Sequence, residues 1–542
     1  MDSSDSSPDR QEPRPAGGKG VTPAVLALLA LGLILARLHT YAEPLERDIT
    51  GYAVIAHELL AGRRLYAEVW DHKPPAIHAT YAAAEWFAGY GPDAVFLLNL
   101  VAAATTLLGA YVAGRALGAS AAAGLVTAAF WTIVSGDLVF QANQPNTEVF
   151  INAALTWAFA LVVGAGPAAA VGRWWGIAAL LALGSLYKHV VVVVAVLLAA
   201  AHLALPPRGA TRRRALGQAG IVSLIAAAAW AVVAGYFAAT GRWVDFRDAV
   251  FTYNRTYAAP LSTTLAAAFG APGLGPLARA VCLPLAALTA TALVTGWCAG
   301  RRREVLLLTA FLLGAHLAMA LPGRFFPHYF QLWLPPLAIG AGWGVALLGR
   351  AHGHHVWRSV TAALATLAIL LGAILPQYRL PPEEWTRRKY QREGEYFLAS
   401  APLAREIDGL LAADETFYEW GAETGLYFAS GRRPPTGLTS MYPLLAGPLT
   451  RTLAARVVAD LERARPELVV VARAAFPPAA QVGANPVTAW IAANYRPFPG
   501  TAERGPFALL VRTGGALAAR LAAPAHSAQD VPARGGTAEA RP

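Results

Sequence analysis

Apolar residues in this chain come in long blocks separated by short polar segments. A block near ~20 residues is long enough to cross a bilayer as a helix. Such blocks predict spans near 22–39, 94–113, 118–135, 148–165, 174–187, 189–205, 217–238, 280–298, 303–320, 329–349 and 357–376. The fifth is short for a straight crossing and reads as a candidate half of a broken element. Beyond the eleventh the pattern changes. "TFYEW" (416–420), "ELVVVA" (467–472) and "FALLVR" (507–512) read as short buried strands, separated by helical stretches such as 450–465. The expected fold is an α-helical polytopic membrane protein with about eleven transmembrane helices and a small C-terminal α/β domain. Its parts are a polar, disordered N-terminus (1–20), a membrane module (21–376), the α/β domain (377–520) and a disordered tail (521–542) rich in Ala, Gly, Pro and charge.

Composition supports the membrane reading: of 542 residues, 56% are hydrophobic and only 14% charged. The formal net charge of +11 raises the question of a nucleic-acid partner, but the arginines fall in clusters between apolar runs. With the N-terminus inside, Arg115, Arg173, Arg208 with Arg212–Arg214, Arg301–Arg303, and Arg350 with Arg358 all lie in inner loops, as the positive-inside rule requires. No nucleic acid is called for, and residue 41 onward and the tail from about 377 are expected outside. A cleaved signal peptide competes for 22–39, but the apolar stretch is long and lacks a small-x-small cleavage site. Cys282 and Cys298 fall on one expected helix, roughly 24 Å apart at ~1.5 Å rise per residue. That is beyond disulfide reach, so both read as packing residues.

Sorted by side, nearly all the unusual polar residues are outer. The first outer loop carries "ERDITGY" and "WDHKPP", the second "SGDLVFQANQPNTE", a third turn Lys188-His189, and a later one "GRFFPHY". Ionisable groups at a membrane boundary are costly unless solvated, paired or used, so their convergence is a site hypothesis. Asp48 opens a helical run and reads as an N-cap, a general base, or both. Lys73, ahead of the stiff Pro74-Pro75 corner, reads as a snorkelling lysine or a cation held for a phosphate. Asn146 and Glu148 suit a helix start, while Glu148 at the depth of Asp48 offers a second carboxylate. Lys188 interrupts a long apolar stretch and needs a partner or an aqueous cavity. Arg324, His328 and Tyr329 supply a planar cation, a titratable ring and a phenol. No HxxxH or CxxC spacing, Walker loop or GxGxxG is present, so nothing points to a metal motif or to a soluble nucleotide donor.

"ERDITGYAVIAHELLAGRRLYAEVWDHKPPAIH", followed by "NQPNTEVF", "LYKHV", "GRFFPHYFQLWLPP" and "YEWGAETGLYFASGRRPPT", resembles bacterial membrane glycosyltransferases of the GT-C class. The narrower likeness is to the branch of protein O-mannosyltransferases and the lipid A aminoarabinose transferase. It covers most of residues 22–440, and "WDHKPP" and "PHYFQL" are its most specific pieces. The resemblance implies a GT-C fold and inverting transfer of a sugar from a polyprenyl-phosphate donor to the hydroxyl of a glycan, lipid or protein acceptor. It implies catalytic roles for Asp48 (base) and Glu148, and donor-phosphate binding by Lys73, with Arg324 and Lys188 as further cations. Asp71, His72, His328, Tyr329 and Asn146 are the expected substrate contacts. Where many members carry Asp-Glu, this chain has Asp48-Ile49. No cofactor is required by this chemistry, and a divalent metal stays an open question. The expected location is the bacterial inner membrane, with the site on the extracytoplasmic face. A lipid or glycolipid transporter or flippase is the alternative, although no internal repeat of the kind transporters carry is evident. A scaffold anchoring the outer tail is a third reading.

Overall fold

The computed structural model describes residues 20–350, 356–475 and 483–523. The expected terminal disorder at 1–20 and 521–542 therefore lies almost wholly outside the described residues. Every expected span falls on a helix: α1 (Val21–Tyr41), α4 (Pro92–Gly118), α5 (Ala121–Val134), α6 (Thr147–Val163), α7 (Val171–Tyr187), α8 (Val192–Ala204) and α9 (Arg212–Ala239), then Leu283–Cys298, Arg302–Ala320, Leu334–Arg350 and Val356–Ile374. In lipid a helix satisfies its own backbone, which is why apolar blocks take this form. Among the described residues, six helical segments are long and apolar enough to cross a membrane, and a bent pair, Ala271–Ala278 with Leu283–Cys298 at 97°, makes a seventh if it is counted as one span. The chain is a multi-pass membrane protein. α5, α6, α7 and α8, at 14, 17, 17 and 13 residues, are shorter than a straight crossing asks. The short span expected at 174–187 starts earlier, at Val171, and stops at Lys188, whose extended backbone separates α7 from the turn that opens α8. α7 packs on α6 and α9, whereas α8 packs on Arg302–Ala320.

The loop arginines have local partners at helix ends. Arg301 and Arg350 donate to the last carbonyls of α4, Leu117 at 2.7 Å and Gly118 at 2.5 Å. Arg303 donates to Val162 at 3.0 Å, at the end of α6. Helix C-termini leave carbonyls without intrahelical donors and carry partial negative charge, so guanidinium groups fit them.

At the opposite end, α2 (Arg47–Leu60) and α3 (Ala76–Ala88) form the first connection between α1 and α4. The C-terminal region adds a five-stranded sheet: β1 (Phe417–Trp420), β2 (Leu468–Ala472), β3 (Tyr495–Pro497), β4 (Glu503–Arg504) and β5 (Phe507–Arg512). Its order is β1-β2-β5-β3, with β4 pairing β5; β1 and β2 are parallel, joined through the helix Thr450–Ala464, and the other pairs are antiparallel. The three expected strands are all present, and β3 and β4 are short additions at the far edge. Strand alternation splits the sheet into two faces. Phe417, Leu468 and Val470 pack on Leu403 and Ile407, while Tyr418, Trp420, Val469 and Val471 share a core with Ile55, Tyr66 and Trp70 from the first connection. The sheet is thus fused to the loop between α2 and α3 through one continuous apolar core.

At Gly437 the two surfaces meet backbone to backbone. The Trp70 amide donates to its carbonyl at 2.9 Å, and a Cβ there would stand 2.2 Å from the Glu68 carbonyl oxygen. We expect Gly437→Ala to lower stability by ~1–3 kcal/mol through this overlap. Gly409→Ala, whose Cβ meets nothing within 4 Å, is expected to be neutral or slightly stabilising in its helix. Thermal unfolding of the detergent-solubilised protein distinguishes the two, and equal midpoints for both variants would remove Gly437 as a docking constraint.

Candidate active site

A cavity of about 520 Å³ opens between the first connection, the 253–257 and 324–329 segments, and the C-terminal domain. Of the ten residues singled out in the sequence, Asp48, Asp71, His72, Lys73, Arg324, His328 and Tyr329 line it. Asn146, Glu148 and Lys188 are buried and do not form part of its lining.

Asp48 is the second residue of α2. The N-cap position expected for it belongs to Glu46, whose extended backbone opens the helix without a side-chain capping bond. In the first turn, a carboxylate still gains from the exposed N–H groups and the helix dipole. Asp48 is half-buried, and among the described residues no side chain or amide donates to its carboxylate. Glu46 accepts from Asn146 Nδ2 at 2.9 Å, and burial together with the nearby Asp48 charge holds its carboxyl well above the usual range.

Lys73 is 7% exposed. Its carbonyl accepts from the Tyr66 hydroxyl at 2.8 Å, and the two prolines that follow lead directly into α3, with Pro75 as its cap. Burial pushes the ammonium down, but Asp48, Glu148 and Asp71 together hold it above its ordinary value. Among the described residues, the cation has no close ion-pair partner of its own. Asp71 accepts from the His72 amide at 2.6 Å and lies 3.1 Å from His72 Nδ1 and 3.2 Å from His78 Nε2. Burial would raise its carboxyl, but the two imidazoles hold it well below the usual range. The His72 ring packs beside Tyr253 and Tyr257, centroids 5.4 and 5.3 Å away, and its carbonyl accepts from Asn254 Nδ2 at 2.7 Å.

Behind this wall sits an ion pair. Lys188 Nζ is 2.9 Å from Glu148 Oε1 and 3.3 Å from the centre of the Tyr329 ring, and Thr147 Oγ1 donates to Glu148 Oε2 at 2.9 Å. Asn146 caps α6 by accepting from the Thr147 amide at 2.7 Å. Arg324 is exposed, follows a left-handed glycine (Gly323, φ +69°), donates to the Tyr257 carbonyl at 2.6 Å and lies 4.5 Å over the Tyr257 ring. His328 and Tyr329 cross at 89° with centroids 4.7 Å apart.

Sequence reasoning missed the residues that complete the enclosure. Tyr253 and Tyr257 come from "FTYNRTY", a polar and aromatic stretch between apolar runs whose character was a usable signal. Tyr390 and Glu393, with Thr424, Thr439, Ser440 and Tyr442, form the wall on the C-terminal-domain side. Burial pushes the Glu423 carboxyl, just behind that wall, up to about 7 against the pull of Arg47. The arrangement offers a carboxylate able to accept a proton, a buried cation facing the same space, and a polar wall of hydroxyls. Among the described residues no three His, Cys, Asp or Glu side chains are grouped so as to hold a metal ion.

No protein-family model matches the chain, and no curated protein matches it by sequence. Solved structures do. ArnT from Cupriavidus metallidurans bound to undecaprenyl phosphate superposes with a TM-score of 0.59 at 15% identity, over 92% of this chain and 99% of that one. The same protein in its apo state gives 0.57 at 17% identity, over 93% and 100%. The archaeal oligosaccharyltransferase AglB from Archaeoglobus fulgidus, in complex with an inhibitory peptide and a dolichol-phosphate, gives 0.50 at 13% identity, over 84% and 69%. These likenesses span both the helical module and the C-terminal domain, and together with the apolar helices they give this chain the GT-C membrane fold.

Proposed function

We propose that the protein is an inverting membrane glycosyltransferase that takes its sugar from a polyprenyl-phosphate donor. The observation that carries this reading is that the carboxylate of Asp48 and the buried ammonium of Lys73 line one cavity. The neighbours with this fold were captured with undecaprenyl phosphate and a dolichol-phosphate, which supports a lipid phosphate as the leaving group. An acceptor hydroxyl attacks the anomeric carbon while its proton passes to Asp48. The bond between the anomeric carbon and the phosphate oxygen breaks, and the electron pair leaves with the lipid phosphate. Lys73 and Arg324 stabilise that growing charge more than they stabilise the bound donor, which is what lowers the barrier. Direct displacement inverts the anomeric centre. The site faces the extracytoplasmic side of a bacterial inner membrane in this reading, in keeping with arginine-rich loops at the other end.

The remaining residues take supporting parts. Glu148 neutralises Lys188, and the pair backs the wall on which Lys73 sits. Asp71 and His72 hold the backbone of the loop that carries Lys73. His328 and Tyr329 close the cavity beside the phosphate position, and Asn146 ties Glu46 to the start of α6.

Release of polyprenyl phosphate from a panel of radiolabelled polyprenyl-phosphate sugars tests the reaction. Asp48→Asn is expected to cut turnover by about 10²–10⁴-fold with donor binding retained, and Lys73→Ala to cut it by about 10²–10³-fold with weaker donor binding. Donor binding that never leads to release, in the presence of glycan, lipid and protein acceptors, would shift the assignment to a lipid carrier.

Glu148→Gln separates support from catalysis. It leaves Lys188 as a buried charge without its counter-ion, which costs about 3–5 kcal/mol, so the thermal midpoint should fall and Glu148→Gln with Lys188→Met should recover much of it. A variant that unfolds at the wild-type midpoint but no longer turns over would return Glu148 to the chemistry.

A further inference from the structure

The residue before the proposed base is bound by the C-terminal domain. Arg47 Nη2 lies 2.9 Å from Glu423 Oε1 and 3.4 Å from Glu393 Oε2, and Nη1 donates to the Tyr442 hydroxyl at 3.0 Å. Its backbone is held as well: Thr424 Oγ1 donates to the Arg47 carbonyl at 2.6 Å, and the Thr50 and Thr424 hydroxyls are 2.7 Å apart. One residue, Thr424, therefore touches α2 immediately before and shortly after Asp48. Glu423 and Thr424 follow β1 closely and start the short helix Gly425–Ser430, so the clamp is rooted in the sheet rather than in a free loop. Across α2, Glu46 is tied to the membrane module by Asn146 at 2.9 Å.

These contacts are not what keeps the domain docked. The shared core around Tyr66, Trp70, Tyr418 and Val469, the Trp70 amide on the Gly437 carbonyl at 2.9 Å and Arg433 on Glu58 at 2.8 Å attach it along the rest of the first connection. The Arg47 clamp is thus free to serve geometry. We propose that the C-terminal domain sets the aim of the base, with Arg47 as the positioning residue through which Glu423, Thr424 and Tyr442 fix the first turn of α2. This rests on the reading of Asp48 as base. A catalytic group displaced by about 1 Å loses on the order of 10²-fold in rate, so a clamp one residue away has leverage through its hold on the first turn of α2.

The test uses the full-length protein in detergent. Thr424→Val, Glu423→Gln and Arg47→Met are expected to lower kcat for polyprenyl-phosphate release by about 10–100-fold while leaving the donor KM within twofold; the thermal midpoint should stay near wild type in Thr424→Val and Glu423→Gln and fall in Arg47→Met, which leaves Glu423 without its counter-ion. The Arg47→Met, Glu423→Gln double variant should lose no more than the worse single variant, because one interaction is removed twice. Hydrogen exchange of the amides at 48–51 should quicken in Thr424→Val and Glu423→Gln. Unchanged kcat, a rise confined to KM, or multiplicative losses in the double variant would overturn the positioning role. Absence of release by the wild type itself counts against the proposed reaction instead; exchange at 48–51 then still decides the clamp, and unaltered exchange overturns it regardless of activity.

Discussion

The end of the molecule that holds the cavity is organised around an ammonium taken out of water. Lys73 is almost fully buried, and removing such a charge from water costs several kcal/mol unless the surroundings restore the interaction. Among the described residues no single carboxylate is bonded to it. Instead Asp48, Glu148 and Asp71 stand around it and keep it charged. A cation neutralised by a diffuse set of carboxylates remains available to an incoming anion, whereas Lys188, bonded directly to Glu148 at 2.9 Å, is already satisfied. The need to keep Lys73 in that field explains the stiff Pro74-Pro75 exit, the Asp71–His72–His78 cluster that holds the loop, and the aromatic rings packed against it.

Enclosure then decides how strong that field is. With the C-terminal domain in place, the cavity has polar hydroxyls on one side and aromatic rings and cations on the other, and partial shielding from bulk water strengthens the electrostatic interactions at its buried wall. The domain does this without being a separate lid. Its sheet shares a core with the α2–α3 loop, so the roof and the loop bearing Lys73 are one packed body, and precise mutual placement follows from packing density rather than from a few surface bonds.

The helices were legible because lipid leaves an apolar block few alternatives, and three of five strands because runs of four to six residues, buried throughout in β1 and β2 and at alternate positions in β5, carry their own signal. β3 and β4, with three and two residues, fall below what alternation can register. Asp48 and Lys73 were found because an ionisable group in an apolar context is costly and therefore conspicuous. Glu393, Glu423 and Tyr442 were not, since each sits in a stretch where such residues are ordinary, and what distinguishes them is contact with Arg47 across more than 300 positions of chain. Arg47 was itself read past, as the neighbour of a more obvious aspartate. The N-cap assignment missed by two residues: the extended backbone of Glu46 opens the helix with no side-chain capping bond, so the capping preference of aspartate carried no information about where α2 starts.

The two carboxylates that looked equivalent in the sequence show why environment, and not residue type, assigns roles. Asp48 and Glu148 each lie in the first turn of a helix and each contributes to the field at Lys73. Glu148 is fully buried and accepts from both Lys188 and Thr147; taking a proton would leave the Lys188 charge stranded in the interior, at a cost of several kcal/mol. Asp48 is half-buried, faces the cavity and has no such partner to abandon. Removing the charge of Glu148 disturbs the wall behind the cavity, whereas Asp48 lines the cavity with no bonded cation among the described residues, and under the proposed reaction that asymmetry is what would separate a base from its support.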